Sequence, residues 1–397
     1  MKQVYIIDYI RTPIAKFQGG LSEVRADDLA AIVLKEIVKR NPQIPAEEIE
    51  DVILGCANQA GEDNRNVARM ASLLAELPIK IGGETVNRLC ASGMAAIANA
   101  YRAIAIGEGD FYIAGGVEQM TRAPYVLSKS AQPFGRDVQL FDSSFGWRFV
   151  NPKMKELYGV DGMGETAENI AEIYKISREA QDEFALHSQQ KATSAQNSGR
   201  LAQEIVNVEI PQKKGEPKIF SEDEFVKPDT TLDKLAKLRP AFKKEGGSVT
   251  AGNSSGLNDG AAAMILASED AVKKYNLKPL AKIISSAVVG VEPRIMGIGP
   301  VEATKKALSR ANLSLEDMDI IELNEAFAAQ ALSVLQELGI DAKDERLNPN
   351  GGAIALGHPL GMSGTRIVGT AALELQKKNK KYALCTLCIG VGQGYAM

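Results

Sequence analysis

The chain has 397 residues, 45% of them apolar and 24% charged, with a formal net charge of −4. That length exceeds one typical core and implies two or three globular domains, and the mild negative charge gives no footing for nucleic acid or a membrane surface. Four cysteines are no disulfide framework, and we read no apolar run as reaching the roughly 18 residues that span a bilayer. The N-terminal run is broken by Asp8 before a signal segment can form, so a reducing cytoplasm is the expected compartment.

In chain order, residues 4–7 predict a buried strand. Asp27-Asp28 opens a helix with apolar residues at Leu29, Ile32, Val33 and Ile37, ended by Pro42 and Pro45. Residues 52–55 predict a second strand, 64–77 a helix, and 85–89 a strand that leads to Cys90. Cys90 is followed by Ala91-Ser92-Gly93 and a small-residue helix through Ala105. Small neighbours admit close backbone approach. The free N–H groups and dipole of the first helical turn lower a thiol pKa, so Cys90 is expected as a reactive thiolate; a structural buried cysteine is the competing reading. Residues 110–116 predict a buried strand ending in glycines.

Residues 122–247 differ in character. Residues 125–149 are irregular, a polar helix spans 177–197, and a Lys- and Pro-bearing stretch follows. This predicts a long insertion into the first domain, of the kind that binds ligands or forms lids. After it, the loop Thr250 to Gly260 leads to a strand at 262–267, a helix at 268–275 and a strand at 281–289.

The second half repeats the first. Residues 44–55 resemble 313–324, an offset of 313 − 44 = 269, and Leu89-Cys90-Ala91-Ser92-Gly93 resembles Leu360-Gly361-Met362-Ser363-Gly364, an offset of 360 − 89 = 271. Two agreeing offsets predict similar α/β halves packed face to face as a pseudo-dimer: residues 1–121 with 248–270, and 271–397, the first carrying the insertion. Equivalent loops then meet at one end, bringing together Cys90, Asn324, Gly361 and the last Gly-rich loop.

Few residues can do chemistry there. His187 sits on the polar helix and reads as a surface histidine, whereas His358 lies in the Gly-rich stretch Asn350 to Gly361. A Cys–His pair is an activated nucleophile, the imidazole removing the thiol proton. Asn324 follows a strand and opens a predicted helix; it is either an N-cap or a carboxamide that holds a water or an oxyanion. Cys385 and Cys388 are three apart on a predicted strand with no second pair, so no metal or redox site is expected. They face opposite sides of the strand, and Cys388, beside Gly390, is the one expected to reach the site.

Asn87-Arg88-Leu89-Cys90-Ala91-Ser92-Gly93, Asn324-Glu325-Ala326-Phe327, Gly357-His358-Pro359 and Cys388-Ile389-Gly390 resemble, in order and spacing, the four signature loops of the thiolases. Ala91 and Val391 replace glycines common in that family. The resemblance implies the thiolase fold with an inserted loop domain, an acyltransferase, and no tightly bound cofactor, coenzyme A being a substrate. It implies Cys90 as nucleophile, His358 as its activator, Cys388 as the acid/base at the α-carbon, and Asn324 with His358, and Cys90 with Gly390, as oxyanion holes. Ser255 and Phe242 fall where the family contacts coenzyme A, with Phe327 and Met163 beside them. Residues 213–244 hold nine Lys/Arg against six Asp/Glu, which suits a phosphorylated ligand.

Residues 146–152 and 161–166, with Gly162 where short-chain biosynthetic members place a histidine, resemble the 3-oxoadipyl-CoA and broad degradative branch. The family implies a homo-oligomer, dimer or tetramer. Three other readings compete: an acetoacetyl-CoA-specific biosynthetic thiolase, a non-catalytic lipid carrier on the same fold, and a ketosynthase relative. Retention of the four polar site residues disfavours the carrier. The lack of a second histidine near Asn324 disfavours the ketosynthase.

Overall fold

The computed structural model describes all of residues 1–397 and builds five layers, helices alternating with two sheets. In chain order the longer elements of the first half are β1 (Val4–Arg11), α1 (Ala26–Arg40), β2 (Ile49–Gly55), α2 (Val67–Leu74), β3 (Glu84–Val86), α3 (Ser92–Ile106) and β4 (Phe111–Gln119). The insertion contributes α4 (Met163–Ile173) and α5 (Arg178–Asn197). The first half closes with β5 (Asn258–Ser268) and β6 (Ala281–Lys282), and the sheet runs β6-β1-β5-β4-β2-β3.

The second half holds β7 (Ala287–Gly290), α6 (Gly299–Ala311), β8 (Ile320–Leu323), α7 (Ala328–Leu338), α8 (Leu360–Lys377), β9 (Ala383–Ile389) and β10 (Gln393–Ala396), with sheet order β7-β10-β9-β8. The repeat is visible in the pairing. β2 and β4 are parallel neighbours joined over α3, and β8 and β9 are parallel neighbours joined over α8. Their first strands begin 320 − 49 = 271 residues apart.

Strand alternation decides the layers. On β2, Val52 and Leu54 face α1 and α2, whereas Ile53 faces the central layer of α3 and α8. On β9, Leu387 and Ile389 face that central layer, and Leu384 faces α6 and α7 on the far side. The two central helices cross at small residues. A Cβ on Gly93 would lie 2.6 Å from the Gly361 carbonyl oxygen, and one on Gly364 would lie 2.4 Å from Met94 N. The segments matched by the 271-residue offset therefore pack against each other.

The insertion is clamped to both halves by buried charges. Arg11 on β1 donates to Glu204 at 2.7 Å and, through both terminal nitrogens, to Asp223 at 2.7 and 2.8 Å. Arg200 bonds Glu204 at 3.0 Å and also Glu374 on α8. All five side chains are buried. Removing one member of such a network leaves an uncompensated buried charge, a cost of about 3–5 kcal/mol.

Several expected boundaries move. The helix expected at 64–77 shrinks to α2, because Asn64, Arg65 and Glu76 adopt φ values of 50°, 64° and 59° and Asn66 caps the remainder. The strand expected at 85–89 is β3, and residues Leu89–Ala91 form a 3-10 turn ahead of α3. The strand expected at 281–289 is two: β6 edges the large sheet and β7 edges the small one, so the chain crosses between halves there. The stretch Leu89–Ile106 has a mean hydropathy of 1.3 over 18 residues, long and apolar enough to cross a membrane, contrary to our reading of the sequence. It is the core helix of the central layer, which explains its apolarity. The insertion is less loop-like than expected: beside α4 and α5 it holds hairpins pairing Tyr125–Leu127 with Leu140–Asp142 and Val208–Ile210 with Lys218–Phe220.

Candidate active site

Cys90 lies in the 3-10 turn before α3. The preceding Leu89 holds φ at 47°, a left-handed backbone that a bulky side chain adopts only under constraint. Hydrogen bonds supply the constraint. The Leu89 N–H donates to Asn87 Oδ1 at 2.9 Å, and the Ser92 hydroxyl accepts from Arg88 N–H at 2.9 Å and donates to the Leu89 carbonyl at 2.6 Å. The backbone N–H groups of Gly390 and of Cys90 itself lie near enough to the sulfur to favour its thiolate.

The expected fall of the thiol pKa does not occur. Burial pushes the Cys90 thiol up to about 11; the Gly390 and Cys90 N–H groups oppose this, and Glu118 adds to it. The thiol sits in a separate turn two residues ahead of α3, where desolvation outweighs the helix end. Proton removal therefore needs a base.

His358 is the neutral imidazole at hand. Gly357 precedes it at φ 103°, and a Cβ there would meet the Asn258 side chain at 2.6 Å. Asn258 Oδ1 in turn accepts the His358 N–H at 2.9 Å. The tautomer follows from the network. The Ser363 hydroxyl donates to the Pro359 carbonyl at 2.8 Å, so it accepts from His358 Nδ1–H at 2.6 Å. Nε2 thus carries the lone pair, and Asn324 Nδ2 points at it from 3.4 Å. Burial, with a smaller push from Arg366, lowers the His358 pKa to about 3, so the ring stays neutral at pH 7. Cys90 is not among its hydrogen-bond partners.

Asn324 is not a helix cap. α7 starts only at Ala328 with Phe327 as its N-cap, and the Asn324 side chain turns to His358 instead. Its Oδ1 is buried without a hydrogen-bond partner. The loop is held by Glu325, which accepts from Ser188 Oγ, Asn348 Nδ2 and Ile354 N–H at 2.6, 2.7 and 3.2 Å.

Cys388 and Cys385 do lie on opposite faces of β9. Cys385 packs in the central layer against the Ile367 carbonyl, while Cys388 packs with Phe327, Met163 and Met296. Burial pushes the Cys388 thiol well above its ordinary value, and the neighbouring Cys90 thiol adds to the push. Gly390, two residues beyond Cys388, lines one cavity with Cys90, so the two thiols neighbour each other there. Val391, where a glycine was expected, takes φ 63° and lines the same cavity.

That cavity has a volume of about 280 Å³ and opens above Cys90. Leu89, Met163, Leu360, Gly390 and the loop 143–148 wall it. Gly162 lines it without a side chain, and a Cβ placed there would meet only Glu165 Oε2, at 3.4 Å. The four residues expected around coenzyme A are contiguous. Phe242 packs edge-on to Phe327 at 6.2 Å and lies over Gly164 beside Met163, and the Ser255 hydroxyl donates to the Ala326 carbonyl at 3.0 Å. His187 is half-buried on α5 rather than on the surface as expected, and it makes no hydrogen bond to these groups.

Glu118 is a site residue that the sequence reading missed. Its carboxylate accepts from Ala57, Asn58 and Gly361 N–H at 2.9, 2.9 and 2.8 Å, tying β2, β4 and α8 together beneath Cys90, and burial raises its pKa to about 7. An ionisable residue inside the apolar run of β4 was the available signal. Ser363, which sets the His358 tautomer, carried no such signal.

A model of the thiolase N-terminal domain matches residues 4–270, and one of the thiolase C-terminal domain matches residues 277–397. The chain belongs to the thiolase family. It is 59% identical to the 3-oxoadipyl-CoA/3-oxo-5,6-dehydrosuberyl-CoA thiolase of Escherichia coli, over 100% of this chain and 99% of that one. It is 58% identical to a beta-ketoadipyl-CoA thiolase of Acinetobacter baylyi over the same shares. The crystal structure of the Bacillus anthracis acetyl-CoA acetyltransferase superposes with a TM-score of 0.92 at 42% identity, over 100% of this chain and 98% of that one. This thiolase is thus an acyltransferase that cleaves a 3-oxoacyl-CoA with coenzyme A. The assignment displaces the carrier and ketosynthase readings.

His358→Ala gives a testable consequence. A neutral base assists attack at a rate that is flat with pH above its own pKa, here about 3. We therefore expect the alkylation rate of Cys90 by iodoacetamide to be nearly pH-independent from about pH 5 to 9 in the unsubstituted enzyme. In His358→Ala it should fall by about 100-fold at pH 7 and rise with pH toward the thiol's own value. An unchanged rate and profile would rule the imidazole out as the base.

Proposed function

We propose that this thiolase acts on 3-oxo dicarboxylyl-CoA substrates of the 3-oxoadipyl-CoA class. The names and high identity of its relatives support that substrate, and so does the cavity at Gly162, which no side chain closes. The observation that carries the chemistry is the cavity that Cys90 shares with Gly390, two residues beyond Cys388, and with Leu360, two residues beyond the neutral His358.

The Cys90 sulfur attacks the C3 carbonyl while its proton passes to His358 Nε2. The C2–C3 bond then breaks, leaving the acyl group on Cys90 and the electron pair on C2 of the acetyl-CoA enolate. Cys388, still protonated at neutral pH because burial raises it, gives its proton to C2 and acetyl-CoA leaves. Coenzyme A next delivers its thiol proton to the Cys388 thiolate and attacks the acyl-Cys90 carbonyl. Cys90 departs and recovers its proton from His358.

The acyl oxygen on Cys90 is met by the Cys90 and Gly390 N–H groups. The enolate oxygen is met by His358 and by a water on Asn324, whose free Oδ1 supports that role. Ser255, Phe242, Phe327 and Met163 form the coenzyme A wall. The edge strand β3 supports pairing with a second copy, as a dimer or tetramer in the cytoplasm.

Initial rates of coenzyme A-dependent cleavage across acetoacetyl-, 3-oxohexanoyl- and 3-oxoadipyl-CoA test the substrate. The highest kcat/KM is expected for 3-oxoadipyl-CoA. Cleavage of acetoacetyl-CoA alone would assign the enzyme to the short-chain biosynthetic class.

A further inference from the structure

Only two charged side chains line the cavity over Cys90, Glu118 and Arg148. Glu118 is consumed by its three backbone donors. Arg148 is not consumed. No carboxylate lies within ion-pair distance of its guanidinium, and its one hydrogen bond runs from Nη1 to the Ser143 carbonyl at 3.5 Å. A half-buried guanidinium with four unused donors, facing a ligand cavity, is poised for an anion.

The loop that carries it is preorganised. Asn58 Nδ2 holds Ser143 through both its carbonyl and its hydroxyl, at 3.2 and 3.0 Å, and the Ser143 hydroxyl donates to the Pro124 carbonyl at 2.6 Å. Trp147 Nε1 donates to the Asp161 carbonyl at 3.2 Å, and Phe149 packs edge-on against Phe141 at 5.1 Å. The arginine is thus fixed on both sides, which lowers the ordering cost of binding.

We propose that Arg148 binds the distal carboxylate of a dicarboxylyl substrate and so determines specificity. The proposal rests on the thiolase reading of this site. During cleavage the carbons beyond C2 stay on Cys90, so a 3-oxoadipyl group becomes a succinyl thioester. Its free carboxylate then sits two methylenes from the sulfur-bound carbonyl, inside the cavity that Arg148 walls. A fork of two N–H donors matches a carboxylate, whereas an uncharged alkyl end leaves the same guanidinium unpaired. The arrangement therefore selects for the acid and against the neutral chain of equal length.

The test compares kcat/KM for 3-oxoadipyl-CoA with that for 3-oxohexanoyl-CoA in the unsubstituted enzyme, Arg148→Leu and Arg148→Lys. The ratio of acid to neutral substrate should fall by about 100-fold in Arg148→Leu, chiefly through the KM of the acid. Arg148→Lys keeps the charge without the fork, and its ratio should fall by about 10-fold. Because the readout is a ratio, a general loss of activity does not imitate it. Acylation of Cys90 by succinyl-CoA against butyryl-CoA, read by intact mass, gives the same comparison without turnover. An unchanged ratio in Arg148→Leu overturns the proposal. Cleavage of neither substrate by the unsubstituted enzyme overturns the function beneath it, and the proposal with it.

Discussion

Cys90→Ala should lose acylation and turnover together. No other thiol can take over, because Cys56 and Cys385 are buried outside the cavity and Cys388 is reserved by its high pKa for proton transfer. The residual rate with any 3-oxoacyl-CoA is expected to fall by about 10⁴-fold or more, the usual outcome when a nucleophile is removed from a concerted group. Intact-protein mass after mixing with acetyl-CoA should show no acetyl adduct. An adduct on the variant would mean that another residue accepts the acyl group.

Cys388→Ala should separate the two half-reactions. Thioester exchange onto Cys90 moves no proton at carbon, whereas making or breaking the C2–C3 bond does. The variant should still carry an acetyl group on Cys90, yet its thiolysis and condensation rates should drop by about 10²–10⁴-fold, the range for loss of a general acid or base. Stability should change less than activity, since the small thiol of Cys388 packs in a minor cluster at the edge of the site. A condensation rate near that of the unsubstituted enzyme would refute the division of labour.

The paired halves were legible because their evidence is local and periodic. The 271-residue offset and the small residues at Gly93 and Gly364 announce two equivalent central helices, and the helices do cross there. The fate of residues 281–290 was not legible. An apolar run looks alike whether it serves one sheet or passes between two.

The same limit applies to Leu89–Ile106, whose apolarity reflects burial between sheets rather than lipid. Cys90, His358 and Cys388 could be named from motif and spacing, but their electrostatics could not. Desolvation is set by the packed surroundings, and it turned an expected low-pKa thiolate into a high-pKa thiol. Asn324 resembled a cap because strand and helix seemed adjacent, while the chain in fact inserts three residues that turn its carboxamide to His358. Glu118 and the Arg11–Glu204–Asp223 clamp join residues distant in sequence, and only the fold brings them together.

The central claim is that one buried thiol carries the acyl group and the other moves the proton at the α-carbon. Deuterium exchange into acetyl-CoA in heavy water tests it most directly, followed by mass spectrometry of the acetyl group on coenzyme A and on the protein. In the unsubstituted enzyme, deuterium should enter the methyl group and acetyl should accumulate on Cys90. In Cys388→Ala the acetyl should still reach Cys90 while its methyl group stays free of deuterium. Deuterium uptake by Cys388→Ala at the unsubstituted rate would contradict the account.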